Sequence, residues 1–220
     1  MKTMKLLVMF MALSLSTSVM AQSSVQAKLK ENKAALKNES VSKDAKKEAK
    51  RLKKEGWTVS PGGLPLEKQV NRLYMFLEQA DEDLNPLYFD GEGRATAENF
   101  AAAQIQATEL ARMNLASKIS SEATGIIDNL VANKMLADDQ AASITTTMVE
   151  NKTIFSQKLG RLQTPLTVVR ELKNKNKEVM VRVVSKASSI QEIAKEAIRA
   201  ELEKQGKELS EELKAYLGKD

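Results

Sequence analysis

The sequence contains neither cysteine nor histidine. Without cysteine the chain forms no disulfide, and without histidine it lacks the usual general base at neutral pH. A Ser–His–Asp triad is therefore excluded, and a zinc site would have to be built from carboxylates alone. Gly91-x-Gly93 begins like a dinucleotide-binding loop, but Thr96 stands where the third glycine belongs. We therefore expect no enzymatic activity, no cofactor and no metal site.

Aromatic residues make up only 4% of the chain, while the hydrophobic residues together make up 42%. A core built mainly from aliphatic residues and alanine favours helices over an all-β sandwich. A length of 220 residues suits one domain with appendages. No apolar run beyond the amino terminus reaches the length of about 20 residues that a bilayer requires. The sequence thus predicts a helix-rich domain, with no transmembrane segment in the mature chain.

The amino terminus, MKTMKLLVMFMALSLSTSVMAQSS, has the parts of a secretory signal peptide. Two lysines precede a short apolar run at residues 6–15, and Val19 and Ala21 suit a cleavage site before Gln22. An uncleaved membrane anchor is the alternative. No cysteine follows the run, so the lipid attachment of a bacterial lipoprotein is not expected there. We predict a signal peptide over residues 1–21 and export to the periplasm or cell envelope.

Residues 22–55 form a basic arm, with 11 lysine or arginine residues against 5 aspartate or glutamate residues. Lysine and alanine favour a helix, but its apolar residues are sparse, so we expect the helix to be exposed. It is either a solvated spacer or a site for an anionic surface, such as lipid head groups or acidic glycans. The arm lacks the interleaved aromatic residues of a single-strand binder, so no nucleic-acid partner is expected. The candidates for anionic-surface contact are Lys43, Lys46, Lys47, Lys50, Arg51, Lys53 and Lys54.

Residues 56–85 are predicted to form a linker followed by an amphipathic helix. The turn residues of GWTVSPGGLP end the arm, and Trp57 is expected to pack the end of the arm against the body. From Leu66 to Leu84, apolar residues recur at steps of three and four, which indicates one face of a helix. Asn85-Pro86 is expected to end that helix.

Residues 86–190 are predicted to form an α+β body. LYFDGEGRAT indicates a short strand, in which Gly91 and Gly93 let the next helix pass close over the sheet. FAAAQIQATELARMNLASKI predicts a long helix continuing to near Met135, and a second helix follows. Valines on both sides of a polar turn at residues 174–177 predict a β-hairpin. The fold class is therefore α+β. A long alanine-rich helix packs on a small antiparallel sheet, in the order strand, helix, helix, hairpin, helix, after an N-terminal helical arm.

Residues 191–220 are predicted to form a C-terminal amphipathic helix. Its first half is expected to pack on the body, and its second half to extend and meet a partner helix or a second copy as a coiled coil. Arg112 falls on the apolar face of the alanine-rich helix, where an unpaired guanidinium is costly. It either pairs with Glu109, Glu92 or backbone carbonyls, or it marks a binding surface. The assembly candidates are Arg112, Leu202, Leu209, Leu213 and Leu217.

The body also resembles a known family. Gly91-x-Gly93, the run AxxxARxxLAxxI at residues 107–119 and the late valine-rich hairpin are similar to the LPP-twenty family of bacterial envelope lipoproteins. Relatives of that family include flagellar outer-membrane disc proteins. The resemblance covers residues 86–190 and implies a long helix on a small antiparallel sheet, with a non-enzymatic role in surface structures. The family's lipid-attachment cysteine is absent here, so the resemblance does not extend to a lipid anchor.

Two function hypotheses follow from these patterns. The first is a non-enzymatic exported bacterial envelope protein that acts as a structural or protein-interaction module, with a protein partner or by self-association. The alternative is a peripheral binder of anionic envelope surfaces through the basic arm. Salt separates the two, because binding through lysines weakens as ionic strength rises, whereas assembly through apolar helix faces does not.

Overall fold

The structure, a computed structural model, describes residues 40–206 and 209–218. All the elements below lie in the compact unit that begins at Ser42. The predicted signal peptide at residues 1–21, and the predicted arm up to residue 39, lie outside the described residues.

The described residues contain seven helices and four strands. The helices are α1 (Lys43–Lys54), α2 (Leu66–Leu77), α3 (Phe100–Ala132), α4 (Asp138–Glu150), α5 (Lys152–Lys158), α6 (Ala187–Lys204) and α7 (Glu211–Leu217). The strands are β1 (Thr58–Val59), β2 (Tyr88–Ala97), β3 (Gln163–Glu171) and β4 (Lys177–Lys186). They form one antiparallel sheet in the order β1-β3-β4-β2. The α+β fold class is confirmed, with the predicted strand, long helix and hairpin in place.

The long helix α3 packs across one face of the sheet, against β2 and β4. Ala107 and Ala111, on the side of α3 that faces the sheet, are fully buried. A Cβ atom on Gly91 would come 2.8 Å from the backbone nitrogen of Leu115, and one on Gly93 would overlap the carbonyl oxygen of Ala107. Small residues on both elements therefore let the helix backbone rest almost directly on the strand, as predicted.

Beyond the sheet, other helices pack on one side of α3. It packs against α4, α5 and α6, and α7 packs on α6. The hydroxyl of Ser120 donates a hydrogen bond of 3.0 Å to the carbonyl of Met148, which ties α3 to α4. The largest buried side chains of this core include Ile119, Ile127, Leu130, Ile144, Met148, Phe155, Ile190, Ile198 and Leu202.

The opposite face of the sheet is covered by α2, and α1 packs on α2. Ala45, Ala49 and Leu52 of α1 are buried. The expectation of an exposed helix therefore holds for most of its charged residues, but it is wrong for the sparse apolar residues, which are buried. Its three apolar residues are few, but they fall on one side of α1, where α2 covers them.

The helix predicted to reach Asn85 is shorter than expected, because α2 ends at Leu77. In the turn that follows, the carboxylate of Asp81 accepts hydrogen bonds from the backbone nitrogens of Asp83, at 3.0 Å, and Asn85, at 2.8 Å. Aspartate competes in this way with helical backbone bonding. Leu84, expected on the apolar face of the helix, is consequently 85% exposed.

The predicted single C-terminal helix is two helices, α6 and α7. Gly206 follows α6 with a φ of 70°, a left-handed conformation that ends helices. α7 then lies back along α6: Arg199 donates to the carbonyl of Gly218 at 2.9 Å, and the Lys195 ammonium lies 4.8 Å from the ring centre of Tyr216. The expectation that the second half extends beyond the body is wrong.

The observed elements differ from the predicted ones in two smaller ways. The strand β1 lies within the predicted linker, where the hydroxyl of Thr58 donates to the carbonyl of Val169 at 2.9 Å. The helix predicted between the long helix and the hairpin is broken at Asn151 into α4 and α5. Neither difference changes the order of the main elements.

Candidate anionic-surface interface

The basic helix α1 is held at both of its ends. At its start, the hydroxyl of Ser42 accepts the backbone N–H of Ala45 at 3.1 Å, and the backbone N–H of Ser42 donates to Asn71 at 2.9 Å. Beyond its end, Trp57 is only 1% exposed. The guanidinium carbon of Arg170 lies 4.4 Å from the centre of the Trp57 ring. The predicted role of Trp57, packing the end of the arm against the body, is confirmed.

Five lysines occupy the side of α1 that faces away from its buried alanines. We name these five residues the lysine row: Lys43, Lys46, Lys47, Lys50 and Lys54. At about 100° per residue they fall within an arc of roughly 100°, and at 1.5 Å per residue they extend over about 16 Å. All five are exposed, and none makes an ion pair with any residue in the described ranges.

The other two basic candidates, Arg51 and Lys53, are engaged within the chain. Arg51 donates to both carboxylate oxygens of Glu48, at 2.8 and 2.6 Å, and also pairs with Glu55. The ammonium of Lys53 lies 2.5 Å from a carboxylate oxygen of Glu67 on α2. The seven predicted residues therefore divide into an unpaired row and two paired flanking residues.

These pairs keep the neighbouring carboxylates ionised. The hydrogen bonds from Arg51 lower the pKa of Glu48 below its ordinary value, and the hydrogen bond from Lys53 lowers the pKa of Glu67. The same pairing raises the pKa of Arg51. At neutral pH the charges of these groups balance each other, so the surplus positive charge of α1 is concentrated in the lysine row.

The sheet surface beneath α1 is also charged, but its charges are paired. Arg182 donates to Asp90 at 2.8 Å and lies 3.5 Å from Glu92, which in turn accepts from Arg94 at 2.7 Å. Arg182, Glu92, Arg94 and Tyr74 line a cavity of about 90 Å³ together with residues of α1. Burial raises the pKa of Tyr74. Each of these charges has an opposite partner within the chain. This part of the surface therefore stabilises the fold and has no surplus charge to offer a ligand.

Arg112, an assembly candidate, pairs with backbone carbonyls. Its guanidinium donates to the carbonyls of Ser156, at 2.7 Å, and Gly160, at 3.0 Å, at the carboxyl end of α5. Helix ends leave such carbonyls without partners, and a cation there also interacts favourably with the helix dipole. One of the alternatives predicted for Arg112 is thus the one observed, and the side chain serves the fold of a single chain.

The four leucine candidates for assembly are in the core. Leu202 is 1% exposed, Leu209 7%, Leu213 5% and Leu217 4%. They join the cluster that also contains the inner face of α3. In the folded chain they are not available to a partner, because contact with a second chain would require α7 to leave its position.

Two further kinds of feature are absent from the residues that the structure describes. No group of acidic side chains among residues 40–206 and 209–218 is arranged to hold a metal ion. Within the same ranges, no helix has both the length and the apolar character needed to span a bilayer.

Part of this site was visible in the sequence. The spacing of Glu48, Arg51 and Glu55 at three and four residues is that of helical ion pairs, so the pairing of Arg51 was open to prediction. The pairing of Lys53 was not, because Glu67 lies on a different helix.

The sequence matches no protein-family model, and no similar curated protein or solved structure is found. The resemblance to the LPP-twenty family therefore stays a prediction.

Proposed function

We propose that this chain is an exported, non-enzymatic bacterial envelope protein that binds an anionic surface of the envelope through the lysine row. The observation that supports the proposal is the set of five exposed lysines, unpaired among the described residues, on one side of a helix held at both ends. The signal-peptide pattern at residues 1–21 supports export.

The lysine row is sufficient for measurable binding. A lysine close to an anionic lipid surface contributes about 1 kcal/mol, so five contribute about 5 kcal/mol, or three to four orders of magnitude in partitioning. Because α1 is already folded and packed on α2, its backbone loses little entropy on binding. The attraction is between exposed charges, so it falls steeply as salt shortens the Debye length.

The assembly hypothesis has less support. Leu202, Leu209, Leu213 and Leu217 are buried, and the guanidinium of Arg112 is occupied by two carbonyls. None of the five assembly candidates is an exposed side chain. We therefore propose the lysine row, and not the assembly candidates, as the functional site.

The proposal is tested by cosedimentation of the purified chain with anionic supports: phosphatidylglycerol vesicles and alginate beads. Phosphatidylcholine vesicles and dextran beads serve as neutral supports. We expect binding to the anionic supports near 0.01 M salt and its loss near 1 M salt, where the Debye length falls from about 30 Å to about 3 Å.

A matched pair of variants locates the site. The row variant changes all five lysines of the lysine row to glutamine. The control variant makes the same change at five exposed lysines that have no ion pair among the described residues: Lys118, Lys134, Lys173, Lys175 and Lys186. Both variants lose five positive charges, so only a site at the lysine row separates them. Equal binding by the two variants would refute the proposal.

A further inference from the structure

We infer that the anionic partner is a linear acidic polysaccharide lying along the lysine row, and not the plane of a bilayer. The inference rests on the proposed function and specifies its partner. It depends on three features of α1. These are the alignment of the lysines, the charge beside them, and the absence of large apolar and aromatic side chains from the exposed side of the helix.

The first feature is alignment. Lys43, Lys47, Lys50 and Lys54 follow one another at four, three and four residues, which places them in a single file along the helix. Successive lysine residues are thus about 4.5 to 6 Å apart along the axis. A row of like charges at regular spacing matches a chain of regularly spaced anions.

The second feature is the charge beside the row. On one flank, the three carboxylates of Asp44, Glu48 and Glu55 outnumber the single guanidinium of Arg51, which pairs with Glu48 and Glu55. Each of these carboxylate residues follows directly after a lysine of the row in the sequence, and at physiological salt charges interact over a Debye length of about 8 Å. A flat anionic surface touching the row meets them as well and is repelled, whereas a narrow polymer along the row stays further from them.

The third feature is what the exposed side of α1 does not present. Helices that bind in the plane of a membrane insert large apolar side chains between the head groups. The apolar residues of α1, Ala45, Ala49 and Leu52, are all buried against α2, and its exposed residues are all charged. Attachment of α1 itself to a bilayer would therefore rest on charge alone.

The same exposed side also disfavours nucleic acid. Single-stranded nucleic acids are held by aromatic side chains that stack on the bases, and α1 has no aromatic residue. Guanidinium groups suit phosphate because they donate two parallel hydrogen bonds, but Arg51 is already engaged by Glu48 and Glu55. The ammonium groups of the lysine row remain available for binding, and they pair readily with the carboxylates of a polyuronate.

The test compares three probes at matched anion concentration: alginate, vesicles of phosphatidylcholine with phosphatidylglycerol, and a single-stranded DNA oligomer. We expect the dissociation constant for alginate to be at least ten-fold lower than for either other probe. The row variant should weaken alginate binding more than about a hundred-fold, because it removes all five of the unpaired charges, and the control variant should stay within about two-fold.

Two further measurements address the geometry. Affinity for alginate oligomers should rise with length until the oligomer spans the row, about 16 Å, and then level off. Replacing the exposed Asp44 by asparagine removes a flanking carboxylate with little change in shape. Asp44→Asn should strengthen vesicle binding by a larger factor than alginate binding, because the plane meets the flank and the polymer does not.

The outcomes separate the inference from the proposed function. Tighter binding to vesicles or DNA than to alginate, lost in the row variant, overturns the inference and leaves the lysine row as the anion-binding site. Binding to none of the three probes, or binding that the row variant retains, overturns both. An equal effect of Asp44→Asn on vesicles and alginate contradicts the flank argument and the inference with it.

Discussion

Gly93 in β2 and Ala107 in α3 approach so closely that a Cβ atom on the glycine would overlap the carbonyl oxygen of the alanine. This approach places α3 over the outer strand of the sheet. There the side-chain amide of Asn114 donates to the backbone carbonyl of Glu92 at 2.6 Å. The helix thus both fills the core and covers part of the edge strand.

Gly93→Ala is therefore expected to destabilise the chain by about 3 kcal/mol, since the added methyl meets backbone atoms that have no room to move. Urea denaturation measures the change in the free energy of unfolding. Gly125, on the exposed side of α3, is the matched control, because a Cβ atom added there would have no neighbour within 4 Å. Gly125→Ala should stabilise by about 0.5 to 1 kcal/mol through helix propensity. A neutral Gly93→Ala would show that the close contact is not needed.

Arg112→Met is expected to lower the free energy of unfolding by about 2 kcal/mol. The change keeps an apolar side chain of similar reach but leaves the carbonyls of Ser156 and Gly160 without their charged donor. Light scattering with size exclusion should show the same molar mass for the variant and the parent chain. A change in molar mass with unchanged stability would instead return Arg112 to the assembly residues.

Leu213→Ala is expected to cost about 3 kcal/mol, because the side chain is 5% exposed within the core. The destabilisation belongs to the folding of one chain, so the melting temperature should not depend on protein concentration in parent or variant. The exposed neighbour Glu212, changed to alanine, is the control. A melting temperature that rises with concentration in the parent and not in Leu213→Ala would support self-association through α7.

Acid is expected to weaken the docking of α1. The pKa values of Glu48 and Glu67 are lowered in the folded chain from an ordinary value of 4.5. Such groups stabilise the fold above that value, and the contribution is lost as pH falls through the lowered pKa. The double variant Glu48→Gln/Glu67→Gln should be less stable than the parent at pH 7 and equal to it near pH 2.

Urea midpoints across that pH range test this expectation. The comparison variant is Glu82→Gln/Glu109→Gln, which changes two exposed carboxylates without ion pairs among the described residues. Its stability difference from the parent should change less with pH than that of the Glu48/Glu67 pair. If both double variants follow the same pH dependence, the ion pairs of α1 contribute nothing specific.

Much of the fold was open to prediction because its signals are local. Each main element has its own pattern in the sequence: two spaced glycines in β2, an alanine-rich face in α3 and alternating valines in β4. The helix that ends at Leu77 was predicted too long, because its apolar spacing continues to Leu84 while the side chain of Asp81 takes over the backbone hydrogen bonds. The C-terminal segment was predicted as one helix, and only the packing of α7 on α6 shows that the chain reverses near Gly206.

Composition and local periodicity were enough to predict the main elements and their order, the lack of cysteine and histidine chemistry, and the surplus of lysine in the arm. Those properties depend on composition and on neighbours within a turn or two. Which charged and apolar residues are free to meet a partner depends instead on contacts between segments that are distant in the chain. Arg112 finds its acceptor in Ser156, 44 residues away, and Lys53 finds Glu67 on another helix. The leucines of α7 are buried by α6 and the core. Contacts between distant segments thus leave the lysine row as the predicted site residues that are both exposed and without an ion pair among the described residues.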